Sequence, residues 1–276
     1  MKPIYLSTFC VDFRYYGLLR EMLRQMENLP VGIEFATSWN YPEFNDLLDA
    51  QPEKFRGYPV TLHAPFTESC CVPGSLEYAR MEQEFQRAFA WYHQFGASSM
   101  VMHTHKRQIA PGQEAFFRQQ SESVICRLAE QARSEDIRLT VENVGFSAKG
   151  SMLYDQEAFI SLFDRLPGDV GALIDIGHAM VNSWDLLSVI QRLGPRIRGY
   201  HLHNNDGAAD LHRPLFESGM RYDSKDMETL LREIGRCSPD ADLILEYAPG
   251  SHITAELLRN DMIRVWELVE QGKRQR

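Results

Sequence analysis

Gly199-Tyr-His-Leu-His-Asn-Asn-Asp-Gly207 changes abruptly from apolar to polar, and Asp210-Leu-His212 follows it at once. A buried strand whose C-terminal end opens into a site has this pattern. The same change recurs at Val60-Thr-Leu-His63, Met100-Val-Met-His-Thr-His105, Leu139-Thr-Val-Glu-Asn143, Ala172-Leu-Ile-Asp-Ile-Gly-His178 and Leu243-Ile-Leu-Glu-Tyr247. We therefore expect six strand ends to point at one place.

Apolar runs of this kind alternate with segments of helical periodicity along the whole chain. The runs predict eight strands, at residues 4–9, 31–36, 60–65, 99–105, 138–144, 170–178, 197–205 and 242–248. The intervening segments predict helices at residues 18–26, 41–50, 76–95, 113–134, 155–166, 184–193, 224–234 and 255–271. Eight such repeats predict an α/β fold with a single (β/α)8 barrel domain over residues 1–276. An open doubly wound sheet is the alternative, but no Gly-rich phosphate turn follows the first strand.

Composition narrows the class of protein. The chain has 276 residues, 44% of them hydrophobic, and a net charge of -9. This charge disfavours nucleic acid as a partner. The N-terminal residues lack the apolar run of a leader or membrane span, so we expect a cytoplasmic protein with no membrane partner. Five cysteines without a CxxC pair predict free thiols.

Four residues at the ends of the last four predicted strands indicate a metal site: Glu142, Asp175, His201 and Glu246. Three carboxylates at one mouth repel one another unless a cation lies among them. With one imidazole they form an oxygen and nitrogen shell suited to Mn²⁺, Zn²⁺, Co²⁺ or Fe²⁺, whereas Mg²⁺ tolerates the imidazole less readily. His178 follows Asp175 beyond Gly177, so we expect it to project from a loop.

The remaining candidates lie near the same rim. Trp39 and Phe66 are predicted as apolar walls, Glu34 as a hydroxyl acceptor, and His63, His103 and Arg213 as substrate contacts. Two longer connections, residues 67–75 and 206–223, are expected on this rim, where loops carry specificity. No Gly-rich anion loop follows the last two strands, which favours an unphosphorylated polyol.

These motifs resemble the xylose-isomerase-like TIM barrels, a family of sugar and sugar-phosphate isomerases and epimerases, inosose isomerases and dehydratases, and endonuclease-IV-type AP endonucleases. The motifs are Val141-Glu-Asn143, Asp175-x-x-His178, His201-Leu-His-Asn-Asn205, Asp210-x-His212 and Glu246. The resemblance implies that Glu142, Asp175, His201 and Glu246 bind one catalytic divalent metal and that His178 contacts substrate near it. It also implies that both glutamates act as acid or base. Many members carry Asp at the position of Asn204 and a Gly-Glu-Gly loop at residues 216–219, where this chain reads Phe216-Glu-Ser-Gly219.

The expected reaction is isomerisation or epimerisation of a sugar or cyclitol through a metal-stabilised enediolate. Dehydration by the same groups is an alternative.

A second alternative is an AP endonuclease with several zinc ions, because nine residues match that branch type for type: His63, His103, Glu142, Asp175, His178, His201, Asp210, His212 and Glu246. The acidic charge and the short segment between Asp206 and Asp210 favour carbohydrate chemistry. A third alternative is a degenerate, ligand-binding barrel, which would lack a metal carboxylate. Homo-oligomerisation is left open.

Overall fold

A computed structural model describes residues 2–10, 16–37, 46, 49, 55–67, 69–105, 108–147, 150, 152–250 and 253–275. The strands are β1 Ile4–Ser7, β2 Val31–Ala36, β3 Val60–His63, β4 Met100–His103, β5 Leu139–Glu142, β6 Gly171–Asp175, β7 Ile197–Leu202 and β8 Asp242–Leu245. They follow one another around a closed barrel in the order β1 to β8. The predicted (β/α)8 barrel is confirmed. The strands are buried on both faces, as parallel strands covered by helices must be.

The helices of the described residues largely follow the predicted segments. They are α1 Tyr16–Gln25, α2 Leu76–Phe95, α3 Glu114–Ser134, α4 Gln156–Arg165, α5 Ile176–Val181, α6 Leu186–Leu193, α7 Ser224–Cys237 and α8 Ala255–Lys273. The predicted helix at residues 41–50 lies largely outside the described residues. None of the described helices is long and apolar enough to span a lipid bilayer.

Backbone contacts divide the chain into two compact units, one of residues 1–34 with 174–276 and one of residues 35–173. The expectation of one domain over residues 1–276 stays a prediction. In the first unit, β1 pairs in parallel with β2 and with β8, and β7 pairs with β8. In the second unit, β3, β4, β5 and β6 pair in sequence, with Glu142 opposite Leu173.

Two glycines bring α7 and α8 together backbone to backbone in the first unit. A Cβ added at Gly235 would lie 2.0 Å from the carbonyl oxygen of Val269. One added at Gly272 would lie 1.9 Å from that of Arg232. Real Cβ atoms do not approach so closely, so both positions need glycine for this helix pair to pack.

The segment after β6 differs from the expectation. His178 was expected to project from a loop, but residues Ile176–Val181 form α5 and His178 is buried in it. The side chain of Asp175 accepts a hydrogen bond from the backbone N–H of His178 at 2.7 Å and so caps this helix. A side-chain carboxylate in this position satisfies a donor that the first helical turn leaves unpaired.

Candidate metal centre

Four residues at or near the C-terminal ends of strands in the first unit form a cluster centred on one imidazole: His201, Glu34, Asp175 and Glu246. His201 has its Nε2 3.2 Å from Oε2 of Glu34. Its Nδ1 lies 3.3 Å from Oε2 of Glu246 and 3.9 Å from Oδ2 of Asp175. All four side chains are almost completely buried. We call them the His201 cluster.

The His201 cluster fits a divalent cation. Two donor atoms that bind one zinc ion at tetrahedral angles lie about 3.4 Å apart, which matches the spacing between Nδ1 of His201 and Oε2 of Glu246. Three buried carboxylates around one imidazole also carry an excess of negative charge, which a cation would balance. Oε1 of Glu34 is buried and accepts no hydrogen bond from any residue in the described ranges.

Glu34 lies on the far side of the imidazole from the other two carboxylates. By bonding to Nε2 it fixes which nitrogen of His201 faces Asp175 and Glu246. Carboxylates that orient a metal-binding histidine in this way are common beside metal sites. The predicted contact of Glu34 with substrate stays a prediction.

Cys10 lies close to the His201 cluster but is not suited to be a ligand. Its thiol donates a hydrogen bond to the carbonyl oxygen of Leu245. Burial raises the pKa of Cys10 to about 12, and the charges of Glu246 and Glu34 act in the same direction. The protonated thiol is neither a nucleophile nor a metal ligand.

A second group in the first unit consists of His178, Asp210 and His212. Their donor atoms lie within 4.8 Å of one another. Oδ2 of Asp210 is 3.4 Å from Nε2 of His178 and 3.2 Å from Nε2 of His212. Oδ1 of Asp210 is buried and has no hydrogen-bond partner among the described side chains and backbone groups. This group can also hold a cation.

Two members of this group have shifted pKa values. Burial on its own would raise the pKa of Asp210, but the charge and hydrogen bond of His178 and the hydrogen bond of His212 outweigh it, so the pKa is lowered. For His212, burial on its own would lower the pKa. The hydrogen bond to Asp210 and the charges of Glu246, Asp210 and Asp175 outweigh burial and raise the pKa to about 9. Without a metal, this group therefore holds a carboxylate and an imidazolium.

The loop that presents Asp210 and His212 is anchored by two buried amides. Asn204 donates from Nδ2 to the carbonyl oxygens of Leu215 and Tyr222, at 2.9 Å each. Oδ1 of Asn205 accepts from the backbone N–H groups of Leu211 at 2.6 Å and His212 at 3.2 Å. Asn204 thus holds the start of the loop in place, and Asn205 holds the turn at Leu211 and His212.

His212 has a strained backbone at the point where it faces this group. Its φ of 48° lies in the left-handed region that non-glycine residues seldom adopt. Its Nδ1 donates to the carbonyl oxygen of Glu246 at 2.9 Å, and its own carbonyl oxygen accepts from Ala248. Strained backbone held by surrounding bonds is typical of functional sites.

The second unit holds its own group of donors, His63, His103 and Glu142. Oε2 of Glu142 lies 3.5 Å from Nε2 of His63 and 3.4 Å from Nε2 of His103. His63 donates from Nδ1 to the carbonyl oxygen of Ala64, so its Nε2 is the nitrogen that faces Glu142. The ring of Phe66 packs on both imidazoles, with centroids 4.6 and 5.0 Å away. These donors lie close enough together to hold a cation.

The remaining predicted site residues are placed as follows. Arg213 is bound to Glu217 within its own loop, with Nε 3.0 Å from Oε2. Trp39 lies outside the described residues. Sequence reasoning gave His203 and Asn205 no role in the site. The alternation of a strand placed His203 on the same face as His201, near the mouth of the barrel, but did not indicate which group it contacts.

Comparison with known proteins agrees with this architecture. Residues 31–264 match the family described as xylose isomerase-like TIM barrel. The chain belongs to this family. No curated protein sequence matches it significantly.

Solved structures resemble the chain over nearly its whole length. TTHB071 protein of Thermus thermophilus, soaked with ZnCl2, has 17% identity and a TM-score of 0.69, covering 96% of this chain and 98% of that one. IOLI protein with a bound zinc atom has 15% identity and a TM-score of 0.71, covering 98% and 99%. D-psicose 3-epimerase of Clostridium cellulolyticum with D-tagatose has 10% identity and a TM-score of 0.69, covering 98% of each chain. At these identities the likeness shows the fold.

Proposed function

We propose that this protein is a divalent-metal-dependent isomerase or epimerase of sugars or cyclitols. One observation carries the proposal. Nδ1 of His201 faces Oε2 of Glu246 and Oδ2 of Asp175, while its Nε2 is hydrogen-bonded to Glu34. A buried imidazole oriented by one carboxylate and flanked by two others is a prepared cation site. Sugar epimerases are among the solved structures with the same fold.

The residues proposed to hold the metal are Glu142, Asp175, His201 and Glu246. Glu142 is included because β5, which it ends, pairs with β6, which ends at Asp175. Mn²⁺, Zn²⁺ and Co²⁺ suit this mixture of oxygen and nitrogen donors. When bound, the cation would polarise a substrate carbonyl and balance the negative charge that develops beside it.

The proposed proton transfers belong to the two glutamates. The carboxylate of Glu246 removes the proton from the carbon next to the carbonyl, and the electron pair of that C–H bond moves toward the carbonyl oxygen. Protonated Glu142 then delivers its proton to the opposite face of the same carbon, which inverts the stereocentre. If one glutamate instead returns the proton to the neighbouring carbon on the same face, and the hydroxyl proton of that carbon moves to the former carbonyl oxygen, the result is aldose–ketose isomerisation.

The substrate is proposed to be a carbohydrate or cyclitol that lies against the histidines and Phe66. His63, His103 and His178 are proposed contacts, together with Glu34, Trp39 and Arg213. The five free cysteines fit a reducing compartment, and we place the protein in the cytoplasm.

The test is a substrate panel in deuterated buffer with Mn²⁺, Co²⁺ or Zn²⁺. We expect a ketose or cyclitol ketone to gain deuterium beside its carbonyl as an isomer or epimer forms. Proton NMR measures both changes. Loss of water from the substrate would indicate the dehydratase alternative, and no exchange with any ketose or cyclitol would contradict the proposal.

A matched pair of variants isolates the proposed base. Glu246→Gln should lose at least about a thousandfold in turnover, because an amide cannot accept the proton. Glu256→Gln changes an exposed glutamate in the first turn of α8 and should keep full activity. Equal turnover of the two variants would remove Glu246 from the mechanism.

A second candidate function is phosphodiester hydrolysis at abasic DNA by several metal ions. Two further donor groups favour it, one of His63, His103 and Glu142 and one of His178, Asp210 and His212. Three metals would activate water and clamp a phosphodiester. Bound metal per chain, measured by elemental analysis, and incision of an abasic duplex distinguish it: three zinc ions with incision would replace the isomerase proposal.

A further inference from the structure

We propose that His203 is a positioning residue that limits Asp175 to one oxygen as a metal ligand. The inference rests on the proposed function, because it concerns the metal that Asp175, His201 and Glu246 would hold. His203 lies at the end of β7 and is completely buried, so it does not contact substrate from the rim. Its effect on the site must act through the groups that it touches.

The contact between His203 and Asp175 is symmetric. Nε2 of His203 lies 3.0 Å from Oδ1 and 3.0 Å from Oδ2 of Asp175. Equal distances place the nitrogen in the plane that bisects the carboxylate, on the side where a cation chelated by both oxygens would lie. The backbone N–H of His178 also donates to Oδ1 at 2.7 Å.

These two donors determine what Asp175 can offer. Chelation by both oxygens would require the imidazole of His203 to leave. A cation would therefore have Oδ2 as its ligand atom. Oδ2 is the oxygen that lies 3.9 Å from Nδ1 of His201 and 3.5 Å from Nδ1 of His178. A single-oxygen carboxylate leaves more coordination positions for substrate than a chelating one does.

The geometry excludes the alternative that His203 is itself a ligand together with His212. The two rings are stacked, with centroids 3.9 Å apart and planes inclined by 12°. The lone pair of an imidazole nitrogen lies in the plane of its ring. A cation in the plane of one ring would therefore lie well out of the plane of the other, too far to be shared.

Gly177 allows His203 to occupy this place. A Cβ at Gly177 would lie 1.9 Å from Cε1 of His203 and 2.6 Å from its Nε2. The φ of Gly177 is not positive, so glycine is needed here for space rather than for backbone conformation. The absence of a side chain at Gly177 therefore makes room for the imidazole of His203.

The first experiment compares two substitutions that differ in the hydrogen-bond donor. His203→Gln places an amide N–H where Nε2 stood, and His203→Phe keeps a ring without a donor. Affinity for Co²⁺ is measured by competition with a chelator, and the visible absorption of bound Co²⁺ reports its coordination. We expect His203→Phe to bind Co²⁺ about 10–100-fold more weakly with an altered spectrum. His203→Gln should stay within about threefold of wild type with an unchanged spectrum.

Controls keep the outcomes separate. His93→Phe replaces an exposed histidine on α2 and should match wild type. If His203→Phe binds Co²⁺ with wild-type affinity and spectrum, the inference is wrong. If wild-type protein binds no Co²⁺, the proposed function itself fails.

A measurement on unmodified protein needs no variant to fold. In ¹⁵N-histidine-labelled protein without metal, the ring of His203 should be the tautomer protonated on Nε2, with an N–H that exchanges slowly because it is buried and bonded to Asp175. A ring protonated only on Nδ1 would overturn the inference, because His203 would then donate nothing to Asp175.

Discussion

At the scale of the residue, the number of hydrogens that a side chain can donate determines the role of Asn204. Its Nδ2 donates to two carbonyl oxygens in the loop of residues 206–223. A carboxylate has no hydrogen to donate there. The amide therefore holds the loop in a way that a carboxylate at this position could not.

Asn204→Asp should destabilise the protein by about 2 kcal/mol or more, because it places a buried carboxylate against the carbonyl oxygens of Leu215 and Tyr222. Urea unfolding measures the loss, and limited proteolysis reports the loosened loop. Asn260→Asp, an exposed change on α8, is the matched control and should alter stability by less than about 0.5 kcal/mol. Equal stability of the two variants would show that the bonds of Asn204 are dispensable.

At the scale of the element, the first unit depends on close packing of its helices. Gly235→Ala should destabilise by about 1–3 kcal/mol, because the added methyl group meets the backbone of α8 at Val269. Helix propensity alone would favour alanine by about 1 kcal/mol. Gly17→Ala in α1 meets nothing within 4 Å and should be neutral or stabilising. The urea concentrations at which the two variants are half unfolded compare the cost of close packing with the gain in helix propensity. If Gly235→Ala were more stable than wild type, the close approach of α7 and α8 would be contradicted.

Glu233 links helices α6 and α7, and the stability that this link contributes depends on pH. Hydrogen bonds from Arg236 and from Gln191 lower the pKa of Glu233 to about 2, although burial on its own would raise it. The folded-state pKa lies below the unfolded value, so the stabilisation is complete above about pH 4.5 and is lost as the pH falls toward 2.

Glu233→Gln should therefore cost about 1 kcal/mol at pH 7, since solvent screens the partly exposed Arg236. The difference between the two proteins should shrink as the pH falls from about 4.5 to about 2. Urea unfolding at neutral pH and at two points within that range measures it. A difference that stays constant with pH would mean that the carboxylate is not ionised in this contact.

At the scale of the whole molecule, metal binding should be coupled to stability. A cation that binds only the folded chain stabilises it by about 2.7 kcal/mol at a hundredfold excess over its Kd. We expect Tm to rise by several degrees with Mn²⁺, Co²⁺ or Zn²⁺ and to fall back with a chelator. Asp175→Asn should reduce the rise. An unchanged Tm of wild-type protein with all three metals would contradict the proposed centre.

The order and approximate bounds of the strands could be predicted from the sequence, because most strands are apolar nearly throughout and are followed by polar residues. α5 could not, since its first turn is stabilised by the side chain of Asp175, the last residue of the preceding strand. The contact of His203 with Gly177 was equally hidden, because it joins the end of β7 to the first turn of α5 and leaves no periodic signal. The predicted ligands Asp175, His201 and Glu246 do converge in the first unit, and Glu142 lies with His63 and His103 in the second.

The pairing of the first strand with the last has a consequence for biosynthesis. The thiol of Cys10 donates a hydrogen bond to the carbonyl oxygen of Leu245, 235 positions further along the chain, and β1 pairs with β8. A ribosome must therefore translate and release the chain at least through β8 before β1 gains this neighbour. Until then, the nascent chain carries an apolar strand with an open edge, so chaperone capture of that segment during translation is expected.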